Sequence, residues 1–453
     1  MSRKTDRREF LETSARTGAG LLIVSAAAAC ARIKPHVGPR RVPPSEKLNV
    51  ACVAAGGKGG SDAGNCKGEN VVALCDADWK RAAKTFKSFP KARTYKDFRE
   101  MLEKEEKNID AVTVSTPDHT HTAPAVMAMQ MGKHVYVQKP LTRTVWECRV
   151  MRETARKYGV ATQMGNQGTA HSGLRRAVEL LHAGVLGPVH EAHVWTNRPI
   201  WPQGMDRPVE IQPIREDLAW EVWLGPAPWR PYNEAYLPFS WRGWVDFGSG
   251  ALGDMACHTL NMPFWGLKLG YPTSVEAEVP KLYAESFPEW SIIRYEFPAR
   301  EGLPPVKLTW YDGGKRPSRE LFAFEKDEKV PESGALVIGE KGQLYSSGDY
   351  GTSYQLLPES RFEGFEGPPE TIPRLPGDSE SWHVKEWLSA CKGGPPAMSN
   401  FEYSAFLTEV VVLGNVALRL GKKIEWDAPN MKARNCPEAD QLIKPYYPKG
   451  WVL

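Results

Sequence analysis

Short apolar runs recur along the chain from residue 48 onward, and the segments between them carry apolar residues at helical spacing. The runs 48–55, 71–75, 111–115 and 134–137 hold few polar positions, the pattern of parallel strands buried on both faces. Helix-type segments at 79–88, 95–104 and 122–131 separate them. This alternation predicts right-handed βαβ units in a doubly wound parallel sheet, and a helix over 145–158 with a strand over 161–164 continues it. The rhythm then changes. After a helix over 172–183, closed by Gly184, the runs 189–196, 274–279, 291–297, 306–311 and 335–338 follow largely without helices. That pattern predicts an open, mostly antiparallel sheet. The chain therefore reads as an α/β protein with one domain over 47–167 and a second α/β domain over 168–453. A long helix over 401–420, closed by Gly421, is expected to pack back onto the body.

The segment ahead of this pattern reads as targeting rather than fold. Arg7-Arg8-Glu9-Phe10-Leu11 is a twin-arginine motif, followed by an apolar stretch over 18–29 that is too short for a good membrane span. Residues 1–30 are thus expected to be a signal for the twin-arginine export machinery, with export to the periplasm. Ala27-Ala28-Ala29-Cys30 leaves two outcomes open, ordinary cleavage and lipid anchoring at Cys30. Residues 31–46, rich in Pro, Arg and Gly, read as a linker.

A length of 453 residues suits two domains, and the net charge of +4, without a basic block interleaved with aromatics, argues against a nucleic-acid partner. The cysteines show no CxxC spacing and read as small core residues, so neither a metal site nor a disulfide frame is expected. Sixteen tryptophans and fifteen tyrosines, many between positions 195 and 244, suit stacking on sugar rings, although core packing accounts for such residues equally simply.

The turn after the first strand, Ala54-Ala55-Gly56-Gly57-Lys58-Gly59, has glycine at the second and third positions of a G-x-G-x-x-G pattern and alanine at the first. Glycine at 56 lets the backbone approach a pyrophosphate, and the following helix N-terminus supplies N–H groups and a positive dipole. Asp76 lies twenty residues beyond Gly56, directly after the second strand. A carboxylate there accepts both ribose hydroxyls and repels a 2′-phosphate, which favours NAD, while Arg81 nearby keeps NADP open. Gly57, Lys58, Gly59, Ser115, Thr116, Pro117 and His119 complete the expected cofactor contacts, with Lys139 and Asn166 reaching it from later segments. For His119 and His121 a surface turn stabilised by Asp118 is the competing reading.

The glycine turn with Asp76, Ser-Thr-Pro at 115–117, Gly-Lys-His-Val-Tyr-Val-Gln-Lys-Pro at 132–140, Gly-Asn-Gln-Gly at 165–168 and Asp254-x-x-x-His258 together resemble the Gfo/Idh/MocA family, named for glucose-fructose oxidoreductase and inositol dehydrogenase. The resemblance runs from about residue 48 to the C-terminus. It implies an N-terminal Rossmann domain, a substrate domain with an open sheet, and a homo-oligomer. The family's usual Glu-Lys-Pro stands here as Gln138-Lys139-Pro140.

Oxidising a secondary alcohol requires a base at the hydroxyl as hydride leaves carbon, and a partly desolvated lysine beside a positive ring meets that requirement. Lys139 is the expected base. Asp254 and His258, four apart, share one face of a helix, with His258 as the alternative acid/base and Asp254 orienting substrate or lysine. Asn166, Trp195, Arg198, Trp241 and Arg242 are candidate carbohydrate contacts at strand ends and loops. An exported dehydrogenase has no free nicotinamide pool to draw on, so a tightly bound, recycled cofactor is expected. Two alternatives stand beside the oxidoreductase: an NAD-dependent glycoside hydrolase working through a transient ketone, and a non-catalytic carbohydrate-binding protein on the same fold.

Overall fold

The computed structural model describes residues 38–451, so the Arg7-Arg8 pair, the apolar stretch and Cys30 lie outside the described residues. The N-terminal half alternates as expected. It runs β1 (Asn49–Val53), α1 (Lys58–Asn65), β2 (Asn70–Cys75), α2 (Trp79–Ser88), β3 (Arg93–Tyr95), α3 (Phe98–Glu105), β4 (Ala111–Val114), α4 (Thr122–Gln130), β5 (His134–Val137), α5 (Val145–Tyr158) and β6 (Thr162–Met164). These strands form one parallel sheet in the order β3-β2-β1-β4-β5-β6. Residues 95–97, expected to open a helix, end a short edge strand instead. Tyr95 pairs with Cys75, and the helix begins only after Asp97, whose side chain accepts the Arg99 N–H at 2.9 Å.

The second half adds α6 (Ser172–His182), β7 (Val189–Trp195), α7 (Trp220–Leu224), α8 (Gly250–Thr259), α9 (Asn261–Gly266), β8 (Ser274–Glu278), β9 (Ile292–Phe297), β10 (Val306–Tyr311), β11 (Gly334–Gly339), β12 (Gly342–Ser347) and β13 (Gln355–Leu357). It closes with α10 (Glu380–Cys391), α11 (Phe401–Leu420), β14 (Ile424–Asp427), β15 (Lys432–Ala433) and α12 (Asp440–Ile443). A nine-stranded sheet takes the order β13-β12-β11-β7-β10-β9-β8-β14-β15, antiparallel throughout except for the β7/β10 pair.

Chain order and spatial order part company at three places. The helix α10, far into the second half, lays Val384, Trp387, Leu388 and Cys391 against Val50, Cys52 and Leu74, so it covers one face of the N-terminal sheet. The division into 47–167 and 168–453 therefore omits a helix from the first layer stack. Second, the described part of the expected linker is docked: Val42 is buried, and Arg40 grips Asp110 through two bonds of 2.6 and 2.7 Å. Third, α11 is long and apolar enough to cross a membrane, yet 83% of its apolar window is buried inside the protein. Asn400 caps its start, Gly421 at φ 61° ends it, and it packs against α5, α8 and β8.

Within α11, Gly414 faces the Tyr295 hydroxyl of β9, and a Cβ there would collide with that oxygen, which is buried without a protein partner. Gly414→Ala is accordingly expected to destabilise the protein by about 1–3 kcal/mol despite alanine's better helix propensity. Adding Tyr295→Phe, which deletes the oxygen, should recover part of that loss, since the added Cβ still lies 2.7 Å from Leu252 Cδ2. Urea unfolding of the two variants measures both effects, and a Gly414→Ala protein as stable as wild type would contradict the packing described.

Candidate active site

A cleft of about 480 Å³ lies outside the C-terminal ends of β1, β2, β4 and β5, between the two sheets. The strand order reverses direction around β1 and β4, the position where open α/β sheets bind ligands. One wall holds Ala54, Gly56, Lys58, Asp76, Arg81, Ser115, Thr116, Pro117 and Asp118. The other holds Arg198, Trp201, Phe239, Trp241, Arg242, Asp254, His258 and Tyr350. Gln138 and Lys139 sit at the junction.

The glycine turn is shaped by close approaches. A Cβ on Gly56 would stand 2.6 Å from Arg81 Cγ, and one on Gly59 would strike the Ala54 carbonyl oxygen. Ala54 occupies φ 64°, the left-handed conformation that favours glycine at this first position. Asp76 is buried, and its two oxygens accept the N–H groups of Gly56 and Asp78, each at 2.8 Å. Burial nevertheless lifts its pKa to about 6. A turn that only glycine fits, a helix start above it and a carboxylate at the next strand end suit a dinucleotide: the helix start for diphosphate, Asp76 for the ribose diol. Gly56 and Lys58 line this cavity directly, whereas Gly57 and Gly59 shape it from behind.

At the other end Lys139 Nζ donates to the Asp254 main-chain oxygen at 2.6 Å and to its Oδ1 at 2.9 Å. Arg242 Nε reaches the same Oδ1 at 3.1 Å, and its guanidinium lies over the Trp241 and Phe239 rings at 4.2 and 4.5 Å. Burial raises the Asp254 pKa, but Lys139 and Arg242 more than offset it and hold the carboxyl at about 2. His258, one turn along α8, is 3% exposed, and its Nδ1 has no protein partner. Desolvation, and then the charge of Lys139, keep that imidazole neutral far below its usual range. The edge of Tyr350 packs on it, with ring centres 4.7 Å apart.

Two further residues belong here: Asp118, which the sequence offered only as a turn stabiliser, and His121, whose role the sequence left as open as that of His119. Asp118, taken as a turn stabiliser, is buried in the cleft wall. Its pKa is pushed up to about 7 by desolvation, against the pull of Arg242 and Lys139. His121 lies between the carbonyls of Pro140 at 2.8 Å and Thr116 at 2.9 Å, tying the loop after Lys139 to the end of β4. A buried Asp directly after the Ser-Thr-Pro turn was the available signal for the first. Nothing in the spacing marks the second.

Three expected contacts lie elsewhere. His119 is wedged between the Trp223 and Phe247 rings, its nitrogens facing their carbonyls, and it does not line the cleft. Asn166 is fully buried behind the cleft, where it donates to the Cys257 carbonyl at 3.3 Å and accepts from Ser399. Trp195 is core: it packs with Phe322, Leu336 and Tyr345, and its Nε1 donates to the Pro331 carbonyl at 2.9 Å. In each case the side chain points from its strand end or turn into packed protein. Arg198, 3.6 Å from Asp349, does line the cleft, as do Trp241 and Arg242. Among the described residues no group of three or more His, Cys, Asp or Glu side chains is placed to hold a metal ion.

Because only the ionised form of Asp76 accepts both ribose hydroxyls, cofactor affinity should hold above neutrality and fall about tenfold per pH unit below about 6. Fluorescence titration with NADH across pH 5–8 measures this, and a flat profile would remove Asp76 from ribose recognition.

Two family models match the chain, together over more than half of it. The oxidoreductase-family NAD-binding Rossmann fold matches residues 48–166, and the oxidoreductase-family C-terminal α/β domain matches 188–302. Among curated relatives, an uncharacterized oxidoreductase of Streptococcus pneumoniae is 33% identical over 89 residues, 20% of this chain and 24% of that protein. A glycosyl hydrolase family 109 protein of Shewanella pealeana is 30% identical over 177 residues, 34% of this chain and 38% of that protein. The chain thus spans less than two fifths of the length of these relatives. Among solved structures, the WlbA dehydrogenase of Bordetella pertussis, in complex with NADH and UDP-GlcNAcA, superposes with TM-score 0.59 at 15% identity, covering 84% of this chain and 99% of that one. The aldose-aldose oxidoreductase of Caulobacter crescentus, complexed with glycerol, gives 0.55 at 18% identity, covering 84% and 100%. These likenesses establish the fold. With the matched models, the chain belongs to the Gfo/Idh/MocA oxidoreductase family, and its N-terminal sheet is that family's NAD-binding Rossmann domain.

Proposed function

We propose that this protein is an NAD-dependent oxidoreductase acting at a secondary alcohol of a sugar, polyol or glycoside. The observation that carries the reading is the Lys139 Nζ, bound to Asp254 where the dinucleotide half of the cleft meets its aromatic half, with the neutral His258 one turn away. Bound NAD supplies the hydride acceptor.

In its ion pair Lys139 holds the proton that a carbonyl oxygen takes up on reduction. By microscopic reversibility the same Nζ receives it when the alcohol is oxidised. Asp254 fixes the direction of that ammonium, and His258, free at Nδ1, is the second group able to exchange a proton with substrate. Trp201, Phe239 and Trp241 line the aromatic half of the cleft, and Arg198 and Arg242 offer donors to the oxygens of a sugar there. The twin-arginine motif at Arg7-Arg8 supports an exported enzyme that keeps one cofactor and recycles it in place.

A second reading has specific support. Relatives at 30–31% identity carry the names glycosyl hydrolase family 109 protein and 2,7-anhydro-N-acetylneuraminate hydratase, the latter in Escherichia coli and Mediterraneibacter gnavus. A redox-neutral cycle would use the same lysine, with transient oxidation acidifying the neighbouring C–H so that a glycosidic bond is lost by elimination. Absorbance at the NADH band without aglycone release supports the oxidoreductase; release with no net absorbance change supports the glycosidase.

Lys139→Ala should lower turnover on any accepted sugar by at least about a hundredfold while leaving NAD bound, as read by mass spectrometry of the released cofactor. Unchanged turnover would remove Lys139 from the chemistry. Mature protein purified without NAD would overturn the retained cofactor.

A further inference from the structure

Asp62 stands on α1, one turn after Lys58, and is fully buried beneath the glycine turn. Its Oδ1 accepts from Lys58 Nζ and from Gln138 Nε2 at 3.2 Å, and its Oδ2 accepts from Gln138 Nε2 at 2.9 Å and from Ser115 Oγ at 2.6 Å. Three side chains from α1, the end of β4 and the end of β5 thus converge on one carboxylate. Gln138 is the residue before Lys139. It is 6% exposed, its main-chain N–H continues the sheet to the Val114 carbonyl at 2.9 Å, and its amide is backed by Gly165, where a Cβ would lie 2.7 Å from Gln138 Cδ. The amide therefore has one available place, against Asp62.

A glutamate at 138 would set a second carboxylate about 3 Å from the first in a buried site, an arrangement that strongly disfavours both being ionised. The neutral amide is thus required by the acid on α1. That acid is tied to the helix whose start faces the diphosphate, and the amide is tied to the peptide that carries Lys139.

We propose that Asp62 is a positioning residue for Lys139. Acting through the Gln138 amide, it fixes the lysine relative to the glycine turn, and positions 62 and 138 accommodate one carboxylate between them. The inference rests on the reading of Lys139 as the acid/base group.

The test is an exchange of charge in the full chain loaded with NAD. The readout is the rate at which trinitrobenzenesulfonate modifies Lys139, located by mass spectrometry, with the lysines other than Lys58, which itself binds Asp62, as internal standards. In wild type Lys139 is held on Asp254 and should react slowly. Gln138→Glu should raise its rate about tenfold without moving the standards, and Asp62→Asn combined with Gln138→Glu should return it to within about threefold of wild type. Gln138→Met, of similar volume but without the amide donor, should raise the rate as well and serves if the glutamate variant does not fold. An unchanged rate in both single variants overturns the proposal, as does a double variant as reactive as Gln138→Glu. On a sugar that wild type oxidises, the same exchange should lower and then restore kcat with little change in KM. A wild type that oxidises no sugar would count against the oxidoreductase reading, while the labelling rates would still decide the coupling to Asp62.

Discussion

Lys139 and Asp254 lie 115 residues apart and belong to different halves of the fold, one at the end of β5 and the other on α8, and their ion pair is the point on which the cleft is organised. Taking two charges largely out of water is costly, and only close geometry with further hydrogen bonds offsets it. Both conditions are met here. The ammonium has the Asp254 main-chain oxygen as a second acceptor, and the carboxylate has Arg242 as a second donor. Arg242 is in turn held flat on Trp241 and Phe239, so its position is set by aromatic packing as well as by charge. Replacing such a pair by apolar residues would be easier for stability alone. Its presence in the cleft at the strand ends fits the acid/base role proposed for Lys139.

The rest of the first sheet serves to bring a dinucleotide to that pair. Parallel strands ending at one edge place the glycine turn, Asp76, Ser115 and Lys139 side by side, although they are far apart in sequence. The backing comes from an unexpected direction. Helix α10 arrives from the C-terminal third, covers the sheet with Trp387 and sends Glu380 to Lys58 at the rim of the turn. One helix from late in the chain thus touches both the sheet and the glycine turn.

How much of this was legible in the sequence follows from what each signal measures. Runs buried on both faces mark parallel strands, so β1, β2, β4 and β5 were readable. The glycine turn, Asp76 and Lys139 sit at their ends, where topology leaves little choice. Tertiary partners were not readable. Helix α10 carries apolar residues on a face whose target is 300 residues earlier, and β3 is a three-residue edge strand whose pairing with Cys75 overrides local preference. Trp195, Asn166 and His119 failed as site residues for one shared reason. A strand end or a turn fixes where the backbone is, and burial by later segments decides which way a side chain is used. Trp195 is covered by the segment carrying Phe322, Asn166 by Ser399, and His119 by Trp223 and Phe247.

The two carboxyls at the catalytic end show how the same field gives opposite outcomes. Asp254 and Asp118 are both desolvated, and both feel Lys139 and Arg242. Asp254 takes the direct hydrogen bonds from both cations and is held at about 2, a permanent anion. Asp118 feels the cations without those bonds and also feels the negative charge of Asp254, so burial dominates and lifts it to about 7. Contact, more than proximity, separates a fixed charge from a titrating one. With His258 kept neutral by the same burial, Asp118 is the carboxyl beside this ion pair whose ionisation changes near neutrality. One carboxyl thus titrates while the other holds Lys139 in place.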